Sequence, residues 1–227
     1  MAYALKATIT IDNTKVSGSA DITNIPILIK GTYDGTGGEP DIRTVANGGG
    51  VENVDTSGGA GNAISVPADL AFFSDSELTT QLDHEIQKYV ASTGEIIAWV
   101  KIPTLDGDAD TVIYMAYGDS AVTNSQEDLS GLWSDYLAVL HLNTSATANQ
   151  LDSSGNSHTG TPAHAGNAWA SEDSVAGKID KALDFVAGDK RYIDIADALH
   201  SVTPDSYSVT VWFSYDASGG VGFCSRG

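Results

Sequence analysis

The side chains in this sequence with chemistry to offer are carboxylates, histidines and scattered serines, and their spacing decides what they can do. Asp83, His84 and Glu85 are consecutive in an alternating stretch. In a strand, Asp83 and Glu85 share one face while His84 points to the other, so they cannot converge on one substrate atom as an acid–base set. Asp106, Asp108 and Asp110 repeat the opening spacing of a calcium loop. That loop needs a glycine where Thr111 stands and a bidentate glutamate where Tyr117 stands, so an acidic hairpin turn is the simpler account. Asp152 and Asn156, in Asp152-Ser153-Ser154-Gly155-Asn156, offer side-chain oxygens to a cation. Calcium takes roughly six to eight ligands, and Asp, Ser, Gly and Asn are also ordinary turn formers.

His158 and His164 share a loop without further ligands at zinc spacing. Ser154 lies in no Gly-x-Ser-x-Gly elbow and has no partner signature. Cys224 is the single cysteine, which excludes an intrachain disulfide and reads as a small buried side chain in a strand. Trp99, Trp133 and Trp212 lie in or beside strand patterns and read as core residues. Trp169, in a loop, is the tryptophan placed to stack on a sugar ring, although packing is the plainer reading. Asn143-Thr144-Ser145 matches a glycosylation sequon, which carries meaning only in an exported chain. No catalytic, cofactor-binding or metal-binding residue is therefore assigned, and the expected protein is not an enzyme.

The elements that position these residues have period two. Ala7, Ile9 and Ile11 alternate with Lys6, Thr8 and Thr10, as in a half-buried strand. Ile25 to Ile29, Asp69 to Phe73, Leu82 to Val90, Glu95 to Ile102 and Thr111 to Tyr117 continue the series. Ala91-Ser92-Thr93-Gly94 forms a loop of hairpin length between two of them. Gly31 to Gly61 is a Gly-, Asn-, Asp- and Thr-rich stretch, expected as a surface excursion on the rim with a short strand near Ile42. Gly118 to Ser134 is polar and reads as a connector. Beyond it, Tyr136 to Leu142, Lys181 to Val186, Arg191 to Ile195 and Tyr207 to Tyr215 are strand candidates, with Leu151 to Ala170 loop-like between them. The region from Tyr3 to Tyr117 shows no convincing helix, and the class is all-β: an antiparallel β-sandwich followed by a second β-domain.

Bulk properties narrow the partners. The 227 residues carry 30 acidic against 11 basic side chains, a formal charge of −19. Such a field repels phosphate backbones and anionic lipid heads, so neither nucleic acid nor a membrane surface is an expected partner. No stretch approaches the roughly 20 apolar residues of a transmembrane helix. The segment from Met1 to Thr10 lacks the basic and apolar regions of a signal peptide, which points to synthesis in a cytoplasm without standard export.

Two stretches are similar to known families. Leu82-Asp83-His84-Glu85-Ile86, the run from Gly94 to Pro103 and the run from Thr111 to Gly118 resemble the DUF2341 domain, with Ile11-Asp12-Asn13 and Asn24 to Leu28 fitting its opening. The run from Trp133 to Leu142, Asp152 to Asn156, Gly177 to Phe185, Tyr192 to Ile195 and Val209 to Trp212 resemble the start of a LamG-like, concanavalin-type jelly roll. The resemblance implies residues 1–118 as a DUF2341-like β-sandwich, 119–135 as a connector and 136–227 as the N-terminal part of a LamG-like jelly roll. It also implies calcium at Asp152 and Asn156 as the one cation to consider. A complete jelly roll needs more strands than follow Tyr136, and a new strand begins at Gly220 to Cys224, so either more chain or another subunit is expected to complete the sheet.

Chains of this pairing are similar to proteins carried by tailed phages. The expected function is a non-catalytic virion structural protein, such as a capsid decoration, fibre or tail-associated adhesin, made in the host cytoplasm. Its partners would be other virion subunits, as a homo-oligomer or with capsid or tail protein, and a host-surface glycan. The alternative is a bacterial secreted or surface carbohydrate-binding module. A third reading is a glycan-cleaving enzyme whose catalytic residues lie after Gly227.

Overall fold

The computed structural model describes residues 2–58, 64–195 and 208–214, and it divides the chain into two units, Met1–Asp135 and Tyr136–Gly227. Both are built from antiparallel strands, and the class is all-β. In the first unit the strands are β1 (Leu5–Ile11), β2 (Ile22–Thr32), β3 (Val54–Asp55), β4 (Val66–Pro67), β5 (Ala71–Phe73), β6 (Gln81–Leu82), β7 (His84–Val90), β8 (Glu95–Leu105) and β9 (Thr111–Tyr117), followed by the short helix α1 (Leu129–Leu132). They form a four-stranded sheet in the order β1-β9-β5-β6, a three-stranded sheet in the order β2-β8-β7, and the small β3-β4 ladder.

The alternation read from the sequence is what fills the sandwich. Ala7 from β1, Phe72 from β5, Ile113 and Met115 from β9, Ile86 from β7, and Ile96, Ala98, Val100 and Ile102 from β8 make one buried cluster. A side chain of this size gains about 1.5–3 kcal/mol when fully buried, so these positions hold the register. One residue breaks the period. The β7–β8 register shifts between Ile86 and Lys88, which leaves Gln87 as an extra residue and returns Tyr89 to the core side.

The glycine-rich stretch after β2 corrects the expectation of a surface excursion. Ile42 and Val51 are fully buried in the core, bridged pairs join Asp34 to Asp41 and Thr44 to Val51, and the Tyr89 hydroxyl donates to the Ile42 carbonyl at 2.6 Å. Arg43 grips Asp41 with a forked pair at 2.9 and 2.6 Å, which holds the Asp41 carboxyl below the usual carboxylate range. Its glycines serve close approach: a Cβ on Gly49 would stand 2.1 Å from the Arg43 carbonyl oxygen. The loop is a packed end-cap because its few apolar residues have the open end of the sandwich to fill.

Residues 119–135, expected as a connector, lie within the first unit. Glu127 accepts from the Ile86 amide at 2.6 Å, and Asp128 caps α1 through the Gly131 amide at 2.8 Å. Lys101 Nζ donates to the Gly131 carbonyl and to Ser134 Oγ, both at 2.8 Å. The segment therefore straps the outside of β7 and β8.

In the second unit the strands are β10 (Gly160–His164), β11 (Ser174–Ala176), β12 (Lys181–Leu183) and β13 (Arg191–Ile195), paired as β10-β13 and β11-β12. β13 matches its expected limits. Tyr136 to Leu142 forms no continuous strand and contributes the single bridge Leu140 to Asp152, while β10 arises in the stretch read as loop. Of the candidate Tyr207 to Tyr215, the described residues 208–214 form no strand, and Cys224 lies outside the described residues. Ala146, Trp169 and Leu183 are the buried centre of this unit. Arg191 seals it, paired with Asp173 at 2.6 Å and Asp189 at 3.0 Å, with its guanidinium 5.4 Å from the Trp169 ring.

Asp69 is the residue that ties the first unit together. Fully buried, it accepts from the amides of Glu52, Asn53, Gly118 and Asp119 at 2.9 to 3.2 Å. Asp69→Asn replaces one acceptor oxygen by a donor facing N–H groups. It should lower unfolding free energy by about 3 kcal/mol, measured by urea denaturation.

Candidate functional site

His84 and Glu85, in β7, point to opposite faces as strand alternation requires, and Asp83 lies just before the strand. His84 is fully buried, its ring edge-on to Phe72 with centroids 5.2 Å apart, and its Nδ1 lies 3.0 Å from the Leu82 carbonyl. Its Nε2 is buried without a hydrogen-bond partner. Glu85, on the other face, receives the Trp133 indole N–H at 2.6 Å and is also fully buried, because the strap covers it. Asp83 lies against Gly131, its carboxyl held above the usual range first by burial and then by the charge of Asp128, with Lys101 opposing. Histidine and glutamate thus sit on opposite sides of one sheet, and neither is presented to a substrate.

Trp99 and Trp133 pack edge to face at 5.6 Å, and Trp99 donates to Gln87 at 3.0 Å. The sequence could not foresee that covering of Glu85, although Glu127-Asp128 before Leu129, Leu132 and Trp133 is a legible helix-start signal. Trp169 donates to the Ala163 carbonyl at 2.9 Å and meets Phe185 at 5.1 Å, so it is a packing residue. Trp212 departs from the core reading, with 74% of its surface exposed.

The oxygen-rich loops are tied by protein donors. Asp152 Oδ1 accepts from the amides of Val139 and Ser154 at 2.8 and 2.9 Å, and Oδ2 from Ser154 Oγ and the His158 amide at 2.8 and 2.9 Å. Burial works against ionisation there, but these bonds outweigh it and hold the carboxyl below its usual range. Asn156 donates its side-chain amide to the carbonyls of Tyr136 and Leu137 at 3.0 and 3.1 Å. Asp106 accepts from the amides of Asp108 and Ala109 at 2.8 and 2.9 Å, and Asp110 from the Asn13 amide at 3.0 Å. His164 Nδ1 lies 2.9 Å from the Gly166 carbonyl. Among the described residues no three His, Cys, Asp or Glu side chains gather as a metal-holding group.

An open groove of about 410 Å³ is lined by Asp119, Ala121, Val122, Thr123, Asn124 and Gln126. The groove lies in residues 119–126, part of the segment expected as a connector, where the sequence carries no functional motif. Asp119 is occupied by the amides of Ala2 at 2.7 Å and Ala121 at 3.1 Å, which leaves a hydroxyl and two carboxamides as the polar chemistry of the lining. Such groups can hydrogen-bond a neutral polar ligand. Among the described residues no helix is long and apolar enough to cross a membrane.

Comparison with known families gives one match: residues 67–131 fit the model of DUF2341, a domain of unknown function. That span runs from the end of β4 into α1 and contains all three segments that carry the resemblance, whereas Ile11 to Asn13 and Asn24 to Leu28 fall outside it. No curated protein and no solved structure matches the chain.

Two outcomes follow from this geometry. Burial lowers the His84 pKa to about 4, so the folded state binds fewer protons than the unfolded chain between there and roughly 6.5. Stability is then full above pH 6.5 and falls by about 3 kcal/mol as pH drops toward 4. Denaturant melts across that range should show the loss, and a flat profile would contradict the buried neutral ring. Because the acceptor positions of Asp152 are filled, added calcium or EDTA should leave the thermal midpoint unchanged.

Proposed function

We propose that this chain is a non-catalytic structural and binding protein of a tailed-phage particle, serving as a capsid decoration, fibre or tail-associated adhesin. The observation that carries the non-catalytic part is the separation of His84, sunk in the core, from Glu85, bonded to Trp133 beneath the strap. Side chains that could have moved protons are instead holding the sandwich together. The virion part rests on the similarity of the two stretches to phage-borne DUF2341 and LamG-like domains, with residues 136–227 as the opening of the jelly roll. In this reading the first unit docks to the particle and the second carries the outward binding surface. Binding uses sheet surfaces and rim loops and needs no cofactor.

A second reading, a bacterial secreted or surface carbohydrate-binding module, is favoured by Trp212. An indole that is 74% exposed presents the flat apolar face on which a sugar ring stacks. Native mass measurement, with identification of every chain purified alongside this one, separates the two. Recovery in fixed stoichiometry with capsid or tail proteins is the expected result. A free protein retained on a polysaccharide column would transfer the assignment to the carbohydrate-binding module.

A further inference from the structure

A β-sandwich has sheet edges, and each edge of the first unit is treated differently. β6, at one end of the four-stranded sheet, is only two residues long. β7, at one end of the three-stranded sheet, has its Ile86 amide taken by Glu127 of the strap. β2, at the other end, is blunted by Pro26. Tyr33 donates to the Gly94 carbonyl, and alternation from that bond turns the backbone N of Pro26 away from β8, so the missing N–H falls on the outer side of the edge.

β1 has none of these protections. It pairs with β9 on one side, and among the described residues no strand pairs with its other side. Its seven residues, Leu-Lys-Ala-Thr-Ile-Thr-Ile, contain no proline, glycine or bulge. Lys6, its one charge, is already engaged with the Ser76 carbonyl at 2.7 Å and sits 5.1 Å from the Tyr114 ring. Ile9 and Ile11 are only partly buried against the core. An unguarded edge of this kind is a template for another strand.

We propose that the free edge of β1 joins a second copy of this chain about a two-fold axis centred on Thr8, continuing the four-stranded sheet across two subunits. Two features select a second copy as the occupant. β1 contains no carboxylate in a chain of net charge −19, so pairing this edge with its own copy opposes no carboxylates within the paired strands. The strand is also self-complementary when antiparallel. Thr8 meets its own counterpart, Lys6 that of Thr10, Ala7 that of Ile9, and Leu5 that of Ile11, with no like charges opposed. Every residue then faces one of the same parity, so all outward N–H and C=O groups find partners. The half-covered isoleucines gain a neighbouring strand. The contact does not depend on the particle or surface the chain serves.

Sedimentation velocity of the full chain over a concentration series, at low and high salt, tests this directly. A reversible dimer that strengthens with salt is expected, because screening relieves repulsion between the remaining acidic surfaces. Thr8→Lys sets like charges opposite each other at the axis and should abolish the dimer while leaving circular dichroism, and the melting temperature at concentrations where the parent is monomeric, as they were. In a Cys224→Ser background, Thr8→Cys should form an intermolecular disulfide on oxidation, and Thr10→Cys, which faces Lys6, should not. A chain monomeric throughout, a dimer indifferent to Thr8→Lys, or cross-linking at Thr10→Cys as ready as at Thr8→Cys would each overturn the proposal.

Discussion

The first unit depends on one buried carboxylate. Asp69 is fully buried and is reached by four main-chain amides, from Glu52 and Asn53 on one side and Gly118 and Asp119 on the other. The end of the glycine-rich cap and the exit of β9 are far apart in sequence, and this side chain joins them. Hydrogen bonds to an ionised acceptor contribute about 1.5–3 kcal/mol each, and a buried charge without them is strongly unfavourable. The carboxylate is admitted to the interior because the loops converge on it, and the loops are ordered because it is there.

The same device recurs at lower stakes across the molecule. Asp12, Asp34, Asp55, Asp75, Asp106, Asp128 and Asp152 each accept a nearby main-chain amide, closing a turn or capping a short helix. This gives the negative charge a structural meaning. Much of it lies in short side chains able to reach their own backbone, which is why aspartate far outnumbers glutamate in the sequence. Hydrogen bonding of this kind holds several of these carboxyls below their usual range. Several of these loops are fastened by their own carboxylates.

The two units spend their aromatic residues differently from what their strand patterns imply. Trp99 lies on the outer face of β8, and Trp133, carried by the strap, packs against it and covers Glu85. In the second unit Trp169 is held between Arg191 and Phe185, and the apolar run around Trp212 remains exposed.

The sequence by itself determined the elements whose information is local. The limits of β9 and β13, the hairpin of β7 and β8, and the opposite facing of His84 and Glu85 all follow from period two and from residue spacing. Tertiary structure alone decided what depends on distant partners: the burial of Ile42 within a glycine-rich cap, the strap over Glu85, the four amides on Asp69, and the bulge that turns Tyr89 inward. Alternation reports which side a residue faces, because it is set by backbone geometry one peptide at a time. What lies on that side is set by chain that returns from tens of residues away, and no local pattern records that return.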